Sequence, residues 1–238
     1  MRILALIPAR GGSKRLADKN IQILGGKPLI SWTINVAKEI TEICEILVST
    51  DSQQIADIAR SNGAITPWLR PNVLATDDAK TIDVALHAVN WYEENYDAVD
   101  GLLILQPTSP FRTAKTIRSA LKLFEESSYE TIIGVSRAED HPEWMLKFED
   151  NKTQIVPLFD SNGLNKRSQD LMPTFVPNGS IYLIQPKVLR KQRTLYPDRL
   201  HGLETESHIE SLDIDSINDL MFARFILEEK LVYNPFSS

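Results

Sequence analysis

Asp213 and Asp215 stand two residues apart in Leu212-Asp-Ile-Asp215, a short segment with apolar residues interleaved. In an extended chain such a pair projects to one face. Two carboxylates on one face repel unless something positive lies between them. A hydrated Mg²⁺ meets that need, because it takes one or two carboxylates plus substrate phosphate oxygens. The following residues allow a second reading: Ser216 and Asp219 resemble a helix capping box. On the residues alone, capping and metal binding stand level. The other chemical feature lies near the start, where residues 10–20 hold Arg10, Lys14, Arg15 and Lys19 against the single acid Asp18. Gly11 and Gly12 let the backbone turn tightly and bring N–H groups close to a phosphate. Arg10 can grip phosphate oxygens in bidentate fashion, and Lys19 adds charge suited to a triphosphate. The loop is neither a P-loop nor a G-x-G-x-x-G dinucleotide turn. Its bland alternative is a solvated basic loop.

Such residues need a scaffold, and the apolar pattern supplies one. Residues 3–7 form a continuous apolar run, as in a central parallel strand covered on both faces. Pro28 sits where a helix can begin, with Leu29, Trp32, Val36 and Ile40 at helical spacing. Residues 46–50 read as a second strand, and Ile55, Ile58 and Ala59 as a helix stopping at a Gly63 C-cap. Ile82, Leu86 and Val89 mark another helical face, and residues 102–105 a buried strand. Thr113 caps a helix carrying Ile117, Leu121 and Phe124, and residues 131–135 are strand again. This βαβαβαβαβ order implies an α/β fold, a mainly parallel sheet with helices on both faces. Ligands then bind beyond the carboxyl ends of the strands, where the basic loop and the turn after residue 105 emerge. From about 138 to 178 the rhythm breaks, with a hairpin through Phe148, Asn151 and Ile155. Strands at 180–184 and 212–214 and a helix over about 216–231 complete a single domain of 238 residues carrying one insert.

The net charge of −6 argues against broad nucleic-acid binding, and a basic loop in an acidic chain suits a small polyanion. Cys44 is the single cysteine, which excludes an internal disulfide framework and fits a small buried apolar residue in a reducing compartment. The apolar start is too short for a secretory signal, and no stretch is long enough to span a bilayer. A cytoplasmic protein is expected, without membrane contact.

Ile7-Pro-Ala-Arg-Gly-Gly-Ser-Lys-Arg15, with Lys19-Asn20 and Gly26-Lys-Pro-Leu29 following, resembles the acylneuraminate cytidylyltransferase family. So do Val48-Ser-Thr-Asp51, Arg70-Pro71, Leu105-Gln-Pro-Thr-Ser-Pro-Phe-Arg112, Asn178-Gly-Ser-Ile-Tyr182 and Asp213-Ile-Asp215, in the same order along nearly the whole chain. The resemblance implies a Rossmann-like nucleotidyltransferase fold that joins CTP to an acidic nine-carbon sugar of the sialic acid type, releasing pyrophosphate. It implies that Arg10, Ser13 and Lys19 hold the phosphates and Asn20 the nucleotide. Arg70, Ala79 and Thr81 then line the cytosine pocket, Gln106 faces the sugar, and Asp213 and Asp215 bind magnesium, or manganese in its place. Arg10, Lys19 and the two aspartates are the residues carried over as catalytic. Within the insert, the resemblance implies that Arg167 and Gln169 belong to a sugar-binding stretch and that the insert mediates a homodimer.

Two positions depart from the family pattern. Val176 stands where some members carry a basic residue, which opens the identity of the sugar, and Ala17 replaces a frequent proline. Arg112 reads equally as structural, paired with a nearby acid, and His141 as structural or interfacial rather than a base. The competing functions are a cytidylyltransferase for another acid (legionaminic, pseudaminic or octulosonic), a glycosyltransferase using Asp213-Ile-Asp215 as its metal site, and a non-catalytic nucleotide-binding regulator.

Overall fold

The computed structural model describes all residues except 128, 151, 160–162, 233, 237 and 238. Strand β1 (Ile3–Pro8) leads through the basic loop to two short paired strands, β2 (Ile23–Leu24) and β3 (Lys27–Pro28). Helix α1 (Leu29–Lys38), strand β4 (Ile43–Ser49) and helices α2 (Gln53–Ser61) and α3 (Thr81–Asn95) follow. Then come β5 (Gly101–Ile104), α4 (Ala114–Glu126) and β6 (Thr131–Arg137). The insert contributes β7 (Leu146–Phe148) and β8 (Ile155–Pro157), which pair antiparallel as the expected hairpin; Asn151 lies outside the described residues. The chain closes with β9 (Phe175–Ile184), α5 (Pro186–Gln192), β10 (Leu200–Glu204) and α6 (Ile217–Glu228).

Six strands form one sheet in the order β10-β6-β9-β5-β1-β4. All pairings are parallel except those of β9, which runs antiparallel between β5 and β6. The apolar run of β1 is covered on both faces, as a central strand requires. Ile3, Ala5 and Ile7 pack with residues of α1, α2 and α4, whereas Leu4 and Leu6 pack with α3 and α5. A third cluster seats α6, through Leu220, Ala223 and Ile226, on Leu24, Trp32 and Phe111.

Two local expectations hold: the Thr113 side chain caps α4, and Gly63, at φ +90°, follows the α2 C-cap Asn62; the Ser52 side chain also caps α2, which the sequence reading did not single out. Three differ. Residues 212–214 are not a strand; the Ile214 N–H instead donates to the Thr108 carbonyl at 2.8 Å and pins the segment beside the turn after β5. Cys44 is exposed rather than buried, because it lies at the start of β4, the edge strand of the sheet. Neither Gly11 nor Gly12 has positive φ. A Cβ at Gly11 would come 3.2 Å from Ser52 Cβ, so close approach is the need there, while Gly12 meets nothing.

The capping box at α6 is complete: the Ser216 Oγ accepts from the Asp219 N–H, and the Asp219 carboxylate accepts from the Ser216 N–H at 2.7 Å. Ser216→Ala should lower stability by about 1 kcal/mol, read as a shift of the urea midpoint at unchanged slope; an unmoved midpoint would show that α6 does not need its cap.

Candidate active site

The carboxyl ends of β1 and β5 open on one cavity of about 620 Å³. Its walls bring together Arg10, Ser13, Lys19, Asn20, Arg70, Ala79, Thr81, Gln106, Asp213 and Asp215, ten of the residues expected from sequence. They arrive from five separate stretches of chain. The basic loop is tied down at its start: the Ala9 N–H donates to the Ser49 carbonyl at 2.9 Å, and the Gly11 N–H to Asp51 Oδ1 at 2.8 Å. Buried Asn20 closes the loop on itself by donating its amide to the Arg10 carbonyl at 2.9 Å.

The loop's cations divide between two carboxylates. Lys19 Nζ donates to Asp215 Oδ1 at 2.6 Å, and Arg15 approaches Oδ2 of the same residue at 3.0 Å. Arg10 and Lys14 meet the two oxygens of Asp77 at 2.6 and 2.5 Å. Asp213 has no ion pair among the described residues. Desolvation in the cleft pushes its carboxyl above the ordinary range, and the like charge of Asp215 adds to that. The completed capping box uses Ser216 and Asp219, so both Asp213 and Asp215 keep their carboxylates for the cavity. No set of three or more metal-ligating side chains occurs among the described residues. A magnesium ion completed by phosphate oxygens needs only one or two carboxylates, and this pair fits that donor set.

Arg70 is buried and wedged under the cavity. Its Nε donates to Ser49 Oγ at 3.0 Å, and its other nitrogens reach the carbonyls of Ser49 and Leu74. Burial pulls its pKa down to about 10, with Arg10 pulling the same way and Asp51 against it. Arg112 is not the partner of an acid. It is buried and donates to the backbone carbonyl of Gln106 at 2.8 Å, to that of Ser180, and to Thr33 Oγ1 at 3.3 Å. It therefore fixes the turn that carries Gln106, while Glu210 accepts from the Thr113 N–H instead. His141 is structural: its ring accepts from the Glu143 N–H and pairs with the Met172 carbonyl.

A second cavity of about 430 Å³ shares Gln106 and Asp213 with the first. Tyr182, Asn178, Ser136, Arg137 and His208 are among its lining residues, none of them assigned a role from sequence. Asn178 and Tyr182 lie in a motif that could have flagged them, whereas His208 and Arg137 left no signal. Gly179, at φ +73°, runs against Gln106, where a Cβ would stand 3.0 Å from Oε1. Arg167 and Gln169 are exposed on the insert and line neither cavity.

Two adjacent cavities, one cationic and one neutral to acidic, with Gln106 and Asp213 in the lining of both, suit two substrates meeting at those residues. A family model described as Cytidylyltransferase matches residues 4–234. The chain belongs to the cytidylyltransferase family. It is a nucleotidyltransferase, in keeping with the motifs that suggested one. The chain is 38% identical to CMP-N,N′-diacetyllegionaminic acid synthase of Legionella pneumophila, over 96% of this chain and 97% of the relative. It is 32% identical to N-acylneuraminate cytidylyltransferase of Streptococcus agalactiae, over 93% of this chain, and spans about half (52%) of that relative's length. The fold is similar to that of a CMP:2-keto-3-deoxy-manno-octonic acid synthetase solved with CTP: TM-score 0.71, 15% identity, covering 97% of this chain and 100% of the other. The Rossmann-like nucleotidyltransferase architecture expected from sequence is thereby found. No helix of the described residues is long and apolar enough to cross a membrane.

Proposed function

We propose that the chain joins CTP to a sialic-acid-type nonulosonic acid, giving the CMP-sugar and pyrophosphate. The observation that carries this is the convergence of the basic loop, Arg70, Gln106 and the aspartate pair on one cavity, with Gln106 and Asp213 also lining a second beside it. The relatives named for nonulosonic acids support the substrate class.

In this reading the triphosphate lies along Arg10, Ser13 and Lys19, with Asn20 holding the loop that presents them. Arg70, Ala79 and Thr81 form the cytosine side, and Gln106 orients the acid. Asp213 and Asp215 would hold Mg²⁺, or Mn²⁺, which when bound neutralises charge building on the phosphates. The anomeric hydroxyl of the acid attacks the α-phosphorus in line and gives up its proton to solvent, the bond from the α-phosphorus to the bridging oxygen breaks, and that oxygen leaves with pyrophosphate. Catalysis of this type rests on positioning and charge neutralisation, which fixed cations and a clamped turn supply. Arg167 and Gln169 could serve the sugar only through motion of the insert or from a second copy. The insert exposes Leu146, Phe148 and Ile155, which supports its role as a homodimer surface. A cytoplasmic location follows from the same reading, since CTP is its substrate.

The test is pyrophosphate release from CTP and Mg²⁺ with legionaminic, sialic, pseudaminic and octulosonic acids offered separately. Turnover with a nine-carbon acid supports the proposal; turnover with octulosonic acid alone, or with none, would defeat it. Gly179→Ala bears on the same reading. Its strained φ and the contact with Gln106 should raise KM for the acid about tenfold and leave KM for CTP unchanged. Equal changes in both would place Gln106 elsewhere.

A further inference from the structure

We propose that Asp77 is a built-in stand-in for phosphate: its carboxylate holds Arg10 and Lys14 in the ligand-free cavity and is displaced when a polyphosphate enters, so it sets how tightly the site holds CTP and pyrophosphate. This rests on the reading of the cationic cavity as the CTP site.

Each Asp77 oxygen takes one cation, Oδ1 from Arg10 at 2.6 Å and Oδ2 from Lys14 at 2.5 Å. That is the arrangement two phosphate oxygens would make with the same pair. Asp77 lines the cavity alongside both of them, so an entering phosphate group and this carboxylate compete for the same donors. Hydrogen bonds from Lys14 and then Arg10 hold the Asp77 carboxyl below its usual range. It therefore stays ionised at any working pH, and only displacement releases the cations.

Asp77 belongs to the loop that also supplies Ala79 and leads to Thr81 at the start of α3. One segment thus forms the base side of the cavity and occupies its phosphate side. A nucleoside without phosphates leaves the latch closed. A triphosphate or pyrophosphate, carrying several charges, opens it. After transfer, the same carboxylate recaptures Arg10 and Lys14 and helps expel pyrophosphate. Asp77 acts through these two side chains, as a positioning residue.

Calorimetric titration with pyrophosphate, CTP and cytidine, each in the presence of a metal chelator, tests this on the full chain. Asp77→Asn should bind pyrophosphate and CTP about fivefold tighter than wild type, because the opposing ion pairs are partly exposed and individually weak. Cytidine affinity should not change, and Asp77→Glu should behave as wild type. Pyrophosphate binding that is equal or weaker in Asp77→Asn, with cytidine binding intact, would overturn the proposal. Should asparagine disturb the loop, seen as lost cytidine binding, Asp77→Ser gives the same comparison on the same criterion. Wild type that binds neither CTP nor pyrophosphate would instead sink the nucleotide reading on which the proposal rests.

Discussion

Asp215→Asn is expected to lower the rate of pyrophosphate release by about a thousandfold while leaving metal-free CTP affinity unchanged or tighter. The two effects have opposite origins. The carboxylate is half of the aspartate pair proposed to hold Mg²⁺, and losing charge stabilisation at the reacting phosphates costs about 10²–10³ in rate. Yet Asp215 also holds Lys19 at 2.6 Å and Arg15 at 3.0 Å, and both cations are freed for the triphosphate when it becomes neutral. A purely structural role for Asp215 would reduce rate and affinity together. Asp213→Asn should lower the rate without the gain in affinity, because Asp213 carries no ion pair among the described residues. Single-turnover pyrophosphate release and metal-free calorimetry on the two variants separate these patterns.

The largest stability effect should come from Arg112→Leu, at about 3 kcal/mol. Arg112 is 3% exposed and serves the carbonyls of Gln106 and Ser180 together with the Thr33 hydroxyl. Burial pulls its pKa to about 9, so the charge is costly to keep, and the guanidinium is retained for its hydrogen bonds. Leucine would remove the Arg112 donor from the Ser180 carbonyl and leave the Gln106 carbonyl with only two long contacts, from the Ser109 N–H and the Thr33 hydroxyl at 3.4 Å, at about 1–3 kcal/mol for each under-served buried acceptor. Arg112→Lys should recover only a fraction, since a single ammonium cannot fork across three acceptors. Chemical denaturation measures both. A midpoint for Arg112→Leu within error of wild type would show that these contacts contribute nothing.

Arg112 and Asp77 also show how far the sequence could be read. The strands and helices of the sheet were legible because β1, β4, β5 and β6 carry apolar runs, α4 starts on its Thr113 cap and α2 stops before Gly63. The antiparallel direction of β9 was not, since a buried strand looks alike in either direction. In the site, the basic loop and Asp213-Ile-Asp215 announced themselves by charge and spacing. Arg112 gave no such sign, because its partners are backbone carbonyls from β9 and the turn after β5, which residue types do not encode. Asp77 was equally hidden: its charge is ordinary, and only folding sets it against Arg10, 67 residues away. The carry-over to Arg167 and Gln169 came from a motif in the insert, which the fold leaves exposed and apart from both cavities.

The measurement that tests the central claim most directly is ³¹P NMR of CTP and Mg²⁺ incubated with the protein and, in separate samples, diacetyllegionaminic, sialic or pseudaminic acid. Transfer of the cytidylyl group predicts a new phosphodiester signal and pyrophosphate, growing in equal amounts as CTP falls. CMP without a phosphodiester would mean hydrolysis, and unchanged CTP with any nonulosonic acid would mean that this cavity performs no such transfer; either result contradicts the account.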